Sequence, residues 1–286
     1  MRSALAAEWL RLRRRRDLLL LLIALPVLVV VGLVTSYQGI SSSFGFPPGP
    51  TPAEVLAAIA ERQAGYAFPA SISTAFGFGP ILALIGILLG AFLLGAEFGW
   101  GTLRGALLAD GRRGHFLVAR WIALVGLMVL LVLEIAVCGP ITTALLGVLG
   151  SPPPATQITL GQALLSVAVW LAAASALAIL GATAALFARS AAGGILVAFL
   201  YAFAELLISG AQIFQQPPLD VVRGISLTGS VVWLSTASQN AGRPEPAGGV
   251  TPPPVPPEVS AVALVAWIVG LSLLAAWRMA RLDVVE

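Results

Sequence analysis

Residues 97–120 read EFGWGTLRGALLADGRRGHFLVAR, a short segment rich in glycine and arginine that lies between two long apolar runs. The whole chain has 286 residues, of which 58% are hydrophobic and 10% are charged, whereas an average soluble domain is about 25% charged. The composition therefore predicts a membrane protein. Segment 97–120 is then a compact hairpin that protrudes from the bilayer, where a soluble partner can bind it.

Apolar runs on both sides of this segment predict the architecture. A bilayer core of about 30 Å needs roughly 20 helical residues, and six runs have about that length: 18–36, 76–96, 116–138, 160–188, 191–211 and 259–277. The fourth and fifth runs are broken only at Arg189-Ser190 and Gly193-Gly194, which we interpret as a tight turn. The sequence predicts an all-α integral membrane protein, a single domain of six transmembrane helices with both termini on one side.

The arginines predict the orientation. All 16 basic residues are arginine, and in the six-span arrangement thirteen of them fall on the side of the termini and of segment 97–120. Only Arg62, Arg223 and Arg243 fall on the other side. By the positive-inside rule the crowded side is cytoplasmic. Both termini are therefore expected in the cytoplasm, and the net charge of +3 reflects topology rather than affinity for nucleic acid.

The segments outside the runs have different characters. Residues 1–16 have apolar and basic residues at helical spacing, including Trp9, Arg13 and Arg14, as in an amphipathic interfacial helix; a merely solvated basic anchor is the alternative. The first outer connection predicts a short helix at 53–63, and the second, 139–159, a stiff turn. The third, 212–258, contains the moderately apolar segment 219–236, which is either a re-entrant hairpin or a surface-lying one.

The residue types that are scarce exclude several kinds of chemistry. A phosphate-binding P-loop and Schiff-base catalysis both require lysine, which the chain lacks. A single cysteine, Cys138, excludes an internal disulfide and a thiolate metal cluster, and a single histidine, His115, excludes a multi-histidine zinc site. We therefore expect no catalytic residues, no metal site and no cofactor bound by the chain itself.

Segment 97–120 carries a motif. Gly99 and Gly101 break the second apolar helix, and Thr102 is a suitable N-cap for a new short helix. The pattern Glu97-Phe98-x-x-Gly101-Thr102-Leu103-Arg104, followed by the basic pair Arg112-Arg113, resembles the permease family of type-2 ABC transporters. The resemblance covers essentially the whole chain, because six spans and a basic amphipathic N-terminus belong to the same pattern.

This resemblance implies a division of labour. Residues 99–112 would form a coupling helix that sits in a groove of a separate ATP-hydrolysing subunit, and residues 1–16 would form a supporting elbow helix. Two ABC ATPase subunits, which bind ATP and Mg, and a second permease subunit, identical or homologous, are the implied partners in a bacterial inner membrane. An ordinary positive-inside loop is the alternative. The implied coupling residues are Glu97, Gly101, Thr102, Leu103, Arg104, Leu107, Leu108, Arg112 and Arg113.

Two acids lie inside predicted spans, where charges are costly and often functional. Glu134 lies about 21 Å beyond Arg120, and Glu205 about 24 Å beyond Arg189, at 1.5 Å per residue. The resemblance implies a pathway between the second and fifth spans of opposing subunits, which makes Tyr201, Glu205 and Glu134 candidate pathway residues. Alternatively, each acid is hydrogen-bonded between helices or paired with Arg223.

Three kinds of membrane protein fit six spans. A rhomboid-type protease needs a histidine within the membrane, whereas His115 is placed at the cytoplasmic boundary. A proton-coupled secondary transporter that uses Glu134 and Glu205 stays open as the alternative, although the two halves of the chain show no convincing repeat. The first choice is an ABC exporter subunit that moves an amphipathic or hydrophobic substrate.

Small residues in two of the runs suggest close helix packing. Gly86 and Gly90 match the small-xxx-small motif of membrane helices, although a chance match is as well supported in a chain with 30 glycines. Ala174, Ala178 and Ala182 have the same spacing.

Overall fold

The computed structural model describes residues 16–43, 52–99, 113–210, 216, 219–240 and 255–281. All regular structure in these ranges is helical, which confirms the all-α prediction. The α-helices are α1 (Arg16–Ser43), α2 (Pro52–Ala64), α3 (Ala70–Ala75), α4 (Gly79–Gly99), α5 (Arg113–Val148), α6 (Leu160–Ala188), α7 (Ala191–Gly210), α8 (Asp220–Ile225), α9 (Leu227–Asn240) and α10 (Pro257–Ala280), with a 3₁₀ turn at Phe76–Phe78 before α4.

Five of the described helices, α1, α4, α5, α6 and α10, are long and apolar enough to cross a membrane. The fifth predicted run is present as α7, a helix of 20 residues, but its apolar part, Ala191–Glu205, is shorter than the other five. The multi-pass character is thus supported by five helices, and the sixth crossing stays a prediction.

The third predicted span ends later than expected. The prediction placed a stiff turn at 139–159, but α5 continues through Pro140 to Val148 and has 36 residues. Proline removes only its own N–H and one carbonyl partner, which membrane helices tolerate when neighbouring groups compensate. Gly139 also lies against α3, since a Cβ there would be 2.3 Å from the Ser71 carbonyl oxygen. The turn therefore begins only after Val148.

The fourth run agrees with α6 at both ends. Thr159 and Gln162 form a capping box at its start, in which each side chain bonds the backbone N–H of the other residue. Arg189 ends α6 in the left-handed conformation, with φ 51°. The glycine pair Gly193-Gly194 belongs to the first turn of α7 rather than to the connection. In α7, Gly194 lies against the Ala185 backbone.

Helix α6 is the centre of the bundle, and α4 packs directly against its backbone. A Cβ on Gly90 would lie 1.8 Å from the Ala178 carbonyl oxygen, and a Cβ on Gly181 would lie 2.2 Å from the Ile87 carbonyl oxygen. Gly86 similarly meets Ala174. The small residues that the sequence shows at helical spacing therefore form one continuous interface between α4 and α6.

Contacts along the helices give their directions. α4 and α6 run in the same direction, because Gly86 meets Ala174, Gly90 meets Ala178 further along both helices, and Gly95 meets Ala191 just after α6 ends. α10 also runs this way, since Phe187 near the end of α6 stacks on Trp277 near the end of α10 at 6.4 Å between ring centroids. These three helices end at the same end of the bundle.

Helices α1 and α5 run in the opposite direction. The Cys138 thiol lies 3.7 Å from the Pro26 carbonyl oxygen. Further along both helices, Tyr37 of α1 and Thr143 of α5 both contact Tyr66. The end of the bundle at which α1 and α5 begin and α4, α6 and α10 end is called the basic end, because it contains Arg120, Arg189, Arg278 and Arg281; Arg62 and Arg223 lie toward the far end.

The predicted elbow helix, with Trp9, Arg13 and Arg14, lies outside the described residues. So do Gly101, Thr102, Leu103, Arg104, Leu107, Leu108 and Arg112 of the predicted coupling segment, whereas Arg113 is the first residue of α5.

We predict that Gly90→Ala separates α4 from α6 and lowers the stability of the folded protein by about 2–3 kcal/mol, because the added methyl group overlaps the Ala178 carbonyl. Gly126→Ala in α5 is the matched control, since a Cβ there meets nothing within 4 Å. Thermal unfolding in detergent measures both. Equal melting temperatures for the two variants would contradict the packing.

Candidate functional site

Two buried carboxylates bind distant parts of the chain together, Glu97 at the basic end and Glu205 toward the far end. Glu97 is 5% exposed and Glu205 is 8% exposed. Each accepts hydrogen bonds from another helix. They are the two positions from which the geometry of a functional site can be built.

Glu97 lies near the end of α4 and forms an ion pair with Arg120 of α5. Arg120 is 3% exposed. Its second terminal nitrogen donates to the Leu93 carbonyl at 2.9 Å, and its guanidinium lies 5.1 Å from the centroid of the Phe116 ring. One arginine therefore fixes two turns of α4 to the first turns of α5.

This ion pair lies at the base of the predicted coupling segment. Residues 100–112 connect the end of α4 to the start of α5. The Glu97–Arg120 pair therefore holds the two ends of that segment together. A buried pair of this kind is costly to break, because removing one charge leaves the other in a medium of low polarity.

Two other arginines at the basic end contact aromatic rings. The guanidinium of Arg278 lies 5.6 Å from the Phe187 ring centroid, and that of Arg281 lies 4.6 Å from the Trp277 ring centroid. Aromatic and basic side chains together are typical of a membrane–water boundary.

Glu205 lies on α7, about 21 Å from Ala191 at 1.5 Å per residue, and it caps the start of α9. The Leu227 N–H donates to one carboxylate oxygen at 2.9 Å, and the Thr228 N–H donates to the other at 2.7 Å. The hydroxyls of Thr228 and Tyr201 also donate to it. Every partner is a donor, and an anion at a helix N-terminus is stabilised by the helix dipole, so the arrangement suits an ionised carboxylate.

The remaining amide groups at the start of α9 are satisfied by Ser226. Its hydroxyl accepts from the Gly229 N–H at 3.2 Å, and its carbonyl accepts from the Ser230 N–H at 2.8 Å. Glu205 and the Ser226 hydroxyl thus pair the N–H groups of Leu227, Thr228 and Gly229, which a helix start otherwise leaves open, and the Ser230 N–H makes the first ordinary bond of the helix.

Helices α8 and α9 form a hairpin that enters the bundle from the far end. The Gly224 carbonyl accepts from Ser260 at the start of α10, at 3.1 Å. One residue later, the Ile225 carbonyl accepts from Trp267 at 2.9 Å, about 15 Å along α10 from Pro257. Buried residues of α9 include Leu227, Ser230, Val231, Leu234 and Ser238. Of the two predicted alternatives for 219–236, the re-entrant one fits this burial.

The structure brings together two of the three candidate pathway residues. Tyr201 donates to Glu205 and also packs on Trp267, with 6.0 Å between ring centroids. The alternative pairing of Glu205 with Arg223 is wrong, because the Arg223 guanidinium instead lies 5.9 Å from the centroid of the Trp233 ring.

Glu134 stands apart from this network. It lies on α5 one turn before Cys138, whose thiol faces α1. One of its carboxyl oxygens is buried and has no hydrogen-bond partner among the described residues. Glu134 therefore lacks the donors that surround Glu205.

Sequence reasoning did not identify Leu227 and Thr228 as partners of Glu205, or Ser226 as the second residue that caps α9. The one local signal is Ser226 itself, since serine followed by a helical segment is a common N-cap. Arg120 was recognised as a boundary residue but not as the partner of Glu97. His/Cys/Asp/Glu groups that could hold a metal ion do not occur in the described part of the chain.

No family model and no curated protein matches the chain.

We predict that Glu97→Ala and Arg120→Ala each lower the free energy of unfolding by about 3–5 kcal/mol, because each removes one charge from a buried pair. The double variant should lose clearly less than the sum of the two. Chemical unfolding in detergent, followed for all four proteins of the cycle, measures the difference. Additive losses would show that the two side chains do not interact.

We predict that Glu205→Gln loosens the start of α9, because an amide NH₂ then faces backbone donors. Hydrogen exchange of the peptide that contains residues 227–230 should become at least about tenfold faster, which corresponds to about 1.4 kcal/mol. Tyr201→Phe is the matched control, since it removes one donor but keeps the carboxylate that caps α9. Unchanged exchange in Glu205→Gln would remove Glu205 from this role.

Proposed function

We propose that the chain is the membrane-spanning permease subunit of an ATP-driven exporter of the type-2 ABC class. Two such subunits would form a pathway for an amphipathic or hydrophobic substrate at their interface. Two separate ATPase subunits would bind and hydrolyse ATP with Mg, since the chain has no lysine from which to build a P-loop. Permease activity, rather than catalysis by this chain, is the proposed role.

The observation that carries this proposal is the buried Glu97–Arg120 pair. A segment that transmits force between a soluble motor and membrane helices must be fixed to those helices at both ends. Residues 100–112 meet this requirement, because Arg120 binds Glu97 and the Leu93 carbonyl at once. An ordinary connecting loop does not need such an anchor.

Helix directions support the proposed topology. Neighbouring helices in the chain alternate in direction, and the arginines concentrate at the end that contains segment 97–120. By the positive-inside rule that end would face the cytoplasm of the inner membrane, with both termini there. An ATPase subunit would then reach residues 100–112 from the side where ATP is found.

A route for movement leads from this segment to Glu205. The end of α4 touches the α6–α7 turn, where a Cβ on Gly95 would lie 2.4 Å from Ala191 Cα. α7 in turn holds the start of α9 through Glu205. A displacement of α4 would therefore reach the re-entrant hairpin through two tightly packed contacts, and Tyr201 and Glu205 are the proposed pathway residues beside that hairpin.

A proton-coupled transporter is the second candidate, and one observation favours it. The buried carboxyl oxygen of Glu134 has no partner in the described part of the chain, as expected for an acid that binds and releases a proton within a membrane. Transport driven by a proton gradient, with the chain alone in vesicles, would favour this candidate over the exporter.

We predict that replacing residues 102–108 with a flexible glycine–serine linker of equal length uncouples ATP hydrolysis from transport. The chain should still insert into the membrane, because Glu97 and Arg120 are unchanged. Membrane insertion is measured on the chain alone, and transport and substrate-stimulated ATP hydrolysis are measured in proteoliposomes with an ABC ATPase subunit.

A linker of the same composition in place of residues 152–156, in the connection between α5 and α6, is the control for a change of loop. It should leave coupling intact, since those residues lie at the far end of the bundle. Normal transport and substrate-stimulated ATPase activity in the 102–108 variant would overturn the proposed coupling role.

A further inference from the structure

A second site lies at the far end of the bundle, away from Glu97 and Glu205. It is a cavity of about 710 Å³ between the last turns of α1, the end of α2 and the α3 region. This volume is in the range of cavities that bind small molecules. Its described lining residues are Thr35, Ser36, Gly39, Ile40, Arg62, Gly65, Tyr66, Ser73, Thr74 and Gly77.

The walls of this cavity are fixed to the bundle. The Thr143 hydroxyl of α5 donates to the Tyr66 carbonyl at 2.7 Å. Ser73 and Ser166 of α6 share a buried hydrogen bond of 3.1 Å. The cavity is therefore formed by side chains held in place by the central helices, and not by the exposed helix α2 alone.

The lining has a defined chemistry. The Thr74 hydroxyl donates its proton to the Gly65 carbonyl at 2.6 Å, and the Thr35 hydroxyl donates to carbonyls of its own helix at 3.0 Å. Their oxygens are thus left as acceptors for hydroxyl groups of a ligand. Arg62 supplies a positive charge, and the described lining contains no carboxylate.

An apolar surface continues from the cavity along α1. Val31 lies one turn below Thr35 and is 56% exposed, and Val27 lies one turn further and is 59% exposed. A ligand with a polar head in the cavity can therefore place a hydrocarbon chain along α1, in the region of the bilayer core.

We infer that this cavity binds the headgroup of an anionic phospholipid that carries hydroxyl groups, with an acyl chain along α1. Arg62 binds the phosphate, because guanidinium groups pair strongly with phosphate oxygens. The threonine oxygens accept hydrogen bonds from the headgroup hydroxyls. The same headgroup chemistry occurs in soluble glycerol phosphates, but the exposed valines of α1 favour the lipid.

Native mass spectrometry of the detergent-solubilised chain with added phosphatidylglycerol tests this inference without any ATPase subunit, so its outcome is independent of the proposed transport function. Arg62→Gln should weaken binding about tenfold or more, because a charge-assisted hydrogen bond is lost. Gly77→Leu should also weaken binding, since a Cβ on Gly77 meets nothing within 4 Å and the larger side chain enters the cavity.

Two variants are the matched controls. Arg223→Gln removes an arginine from the same end of the bundle, and Gly126→Leu adds the same side chain at another open glycine. Both should bind phosphatidylglycerol as the unmodified chain does. An equal loss of phosphatidylglycerol binding in Arg62→Gln and Arg223→Gln would contradict a binding site in this cavity. Unchanged binding in Gly77→Leu would contradict it as well.

Two further ligands test which part of the phospholipid the cavity recognises. Phosphatidylcholine should bind at least about tenfold more weakly, because its headgroup has no hydroxyl and no net charge; equal binding would overturn recognition of an anionic, hydroxylated headgroup. Soluble glycerol 3-phosphate should not displace the lipid at equal concentration. Displacement by glycerol 3-phosphate would show that the cavity binds a free phosphate compound, and it would contradict the inference that a lipid binds there.

Discussion

Backbone groups buried at membrane depth must find hydrogen-bond partners within the protein, and the start of α9 is the place where this constraint is hardest to meet. Its first N–H groups point into the bundle about 21 Å from Ala191 along α7. Glu205 and Ser226 satisfy all of them. The break between α8 and α9, the position of Tyr201 and the hydrogen bond from Trp267 to Ile225 all follow from this one capped helix start. Glu205 is therefore first of all the residue that caps the buried start of α9.

The second constraint is the weakness of hydrophobic attraction between helices that are already in lipid, where association depends on close packing. α4 and α6 meet this constraint by backbone contact at Gly86, Gly90 and Gly181. The contact extends past the end of α6, where Gly95 touches Ala191. α4, α6 and the start of α7 are consequently packed against each other with backbone in contact with backbone.

The sequence predicted what depends on composition and local spacing. The run 160–188 agrees with α6 because Thr159 and Gln162 form a recognisable cap and no proline interrupts the run. The predicted run 116–138 ended too early, because α5 continues through Pro140 to Val148, and a bundle whose neighbours compensate for the lost bond tolerates a proline inside a helix. Arg120 lies 23 residues from Glu97, and the α9 residues that donate to Glu205, Leu227 and Thr228, lie 22 and 23 residues from it. Neither helical period nor residue propensity encodes such distances, so these contacts needed the three-dimensional structure.

Three acids on α4, α5 and α7, namely Glu97, Glu134 and Glu205, differ in how their charge is accommodated. Glu97 faces the guanidinium of Arg120, so the pair is neutral overall. Glu205 faces the positive end of α9, which acts as a partial counter-charge without any basic side chain. Glu134 has neither arrangement for its buried oxygen. An ionised carboxylate without donors is unfavourable in this environment, so only Glu97 and Glu205 have the surroundings that suit a structural link between helices. What distinguishes Glu97 and Glu205 from Glu134 is the hydrogen-bond donors that the fold supplies to them. Except for Tyr201, which lies on the same helix as Glu205, each donor comes from a helix other than the one that carries the acid.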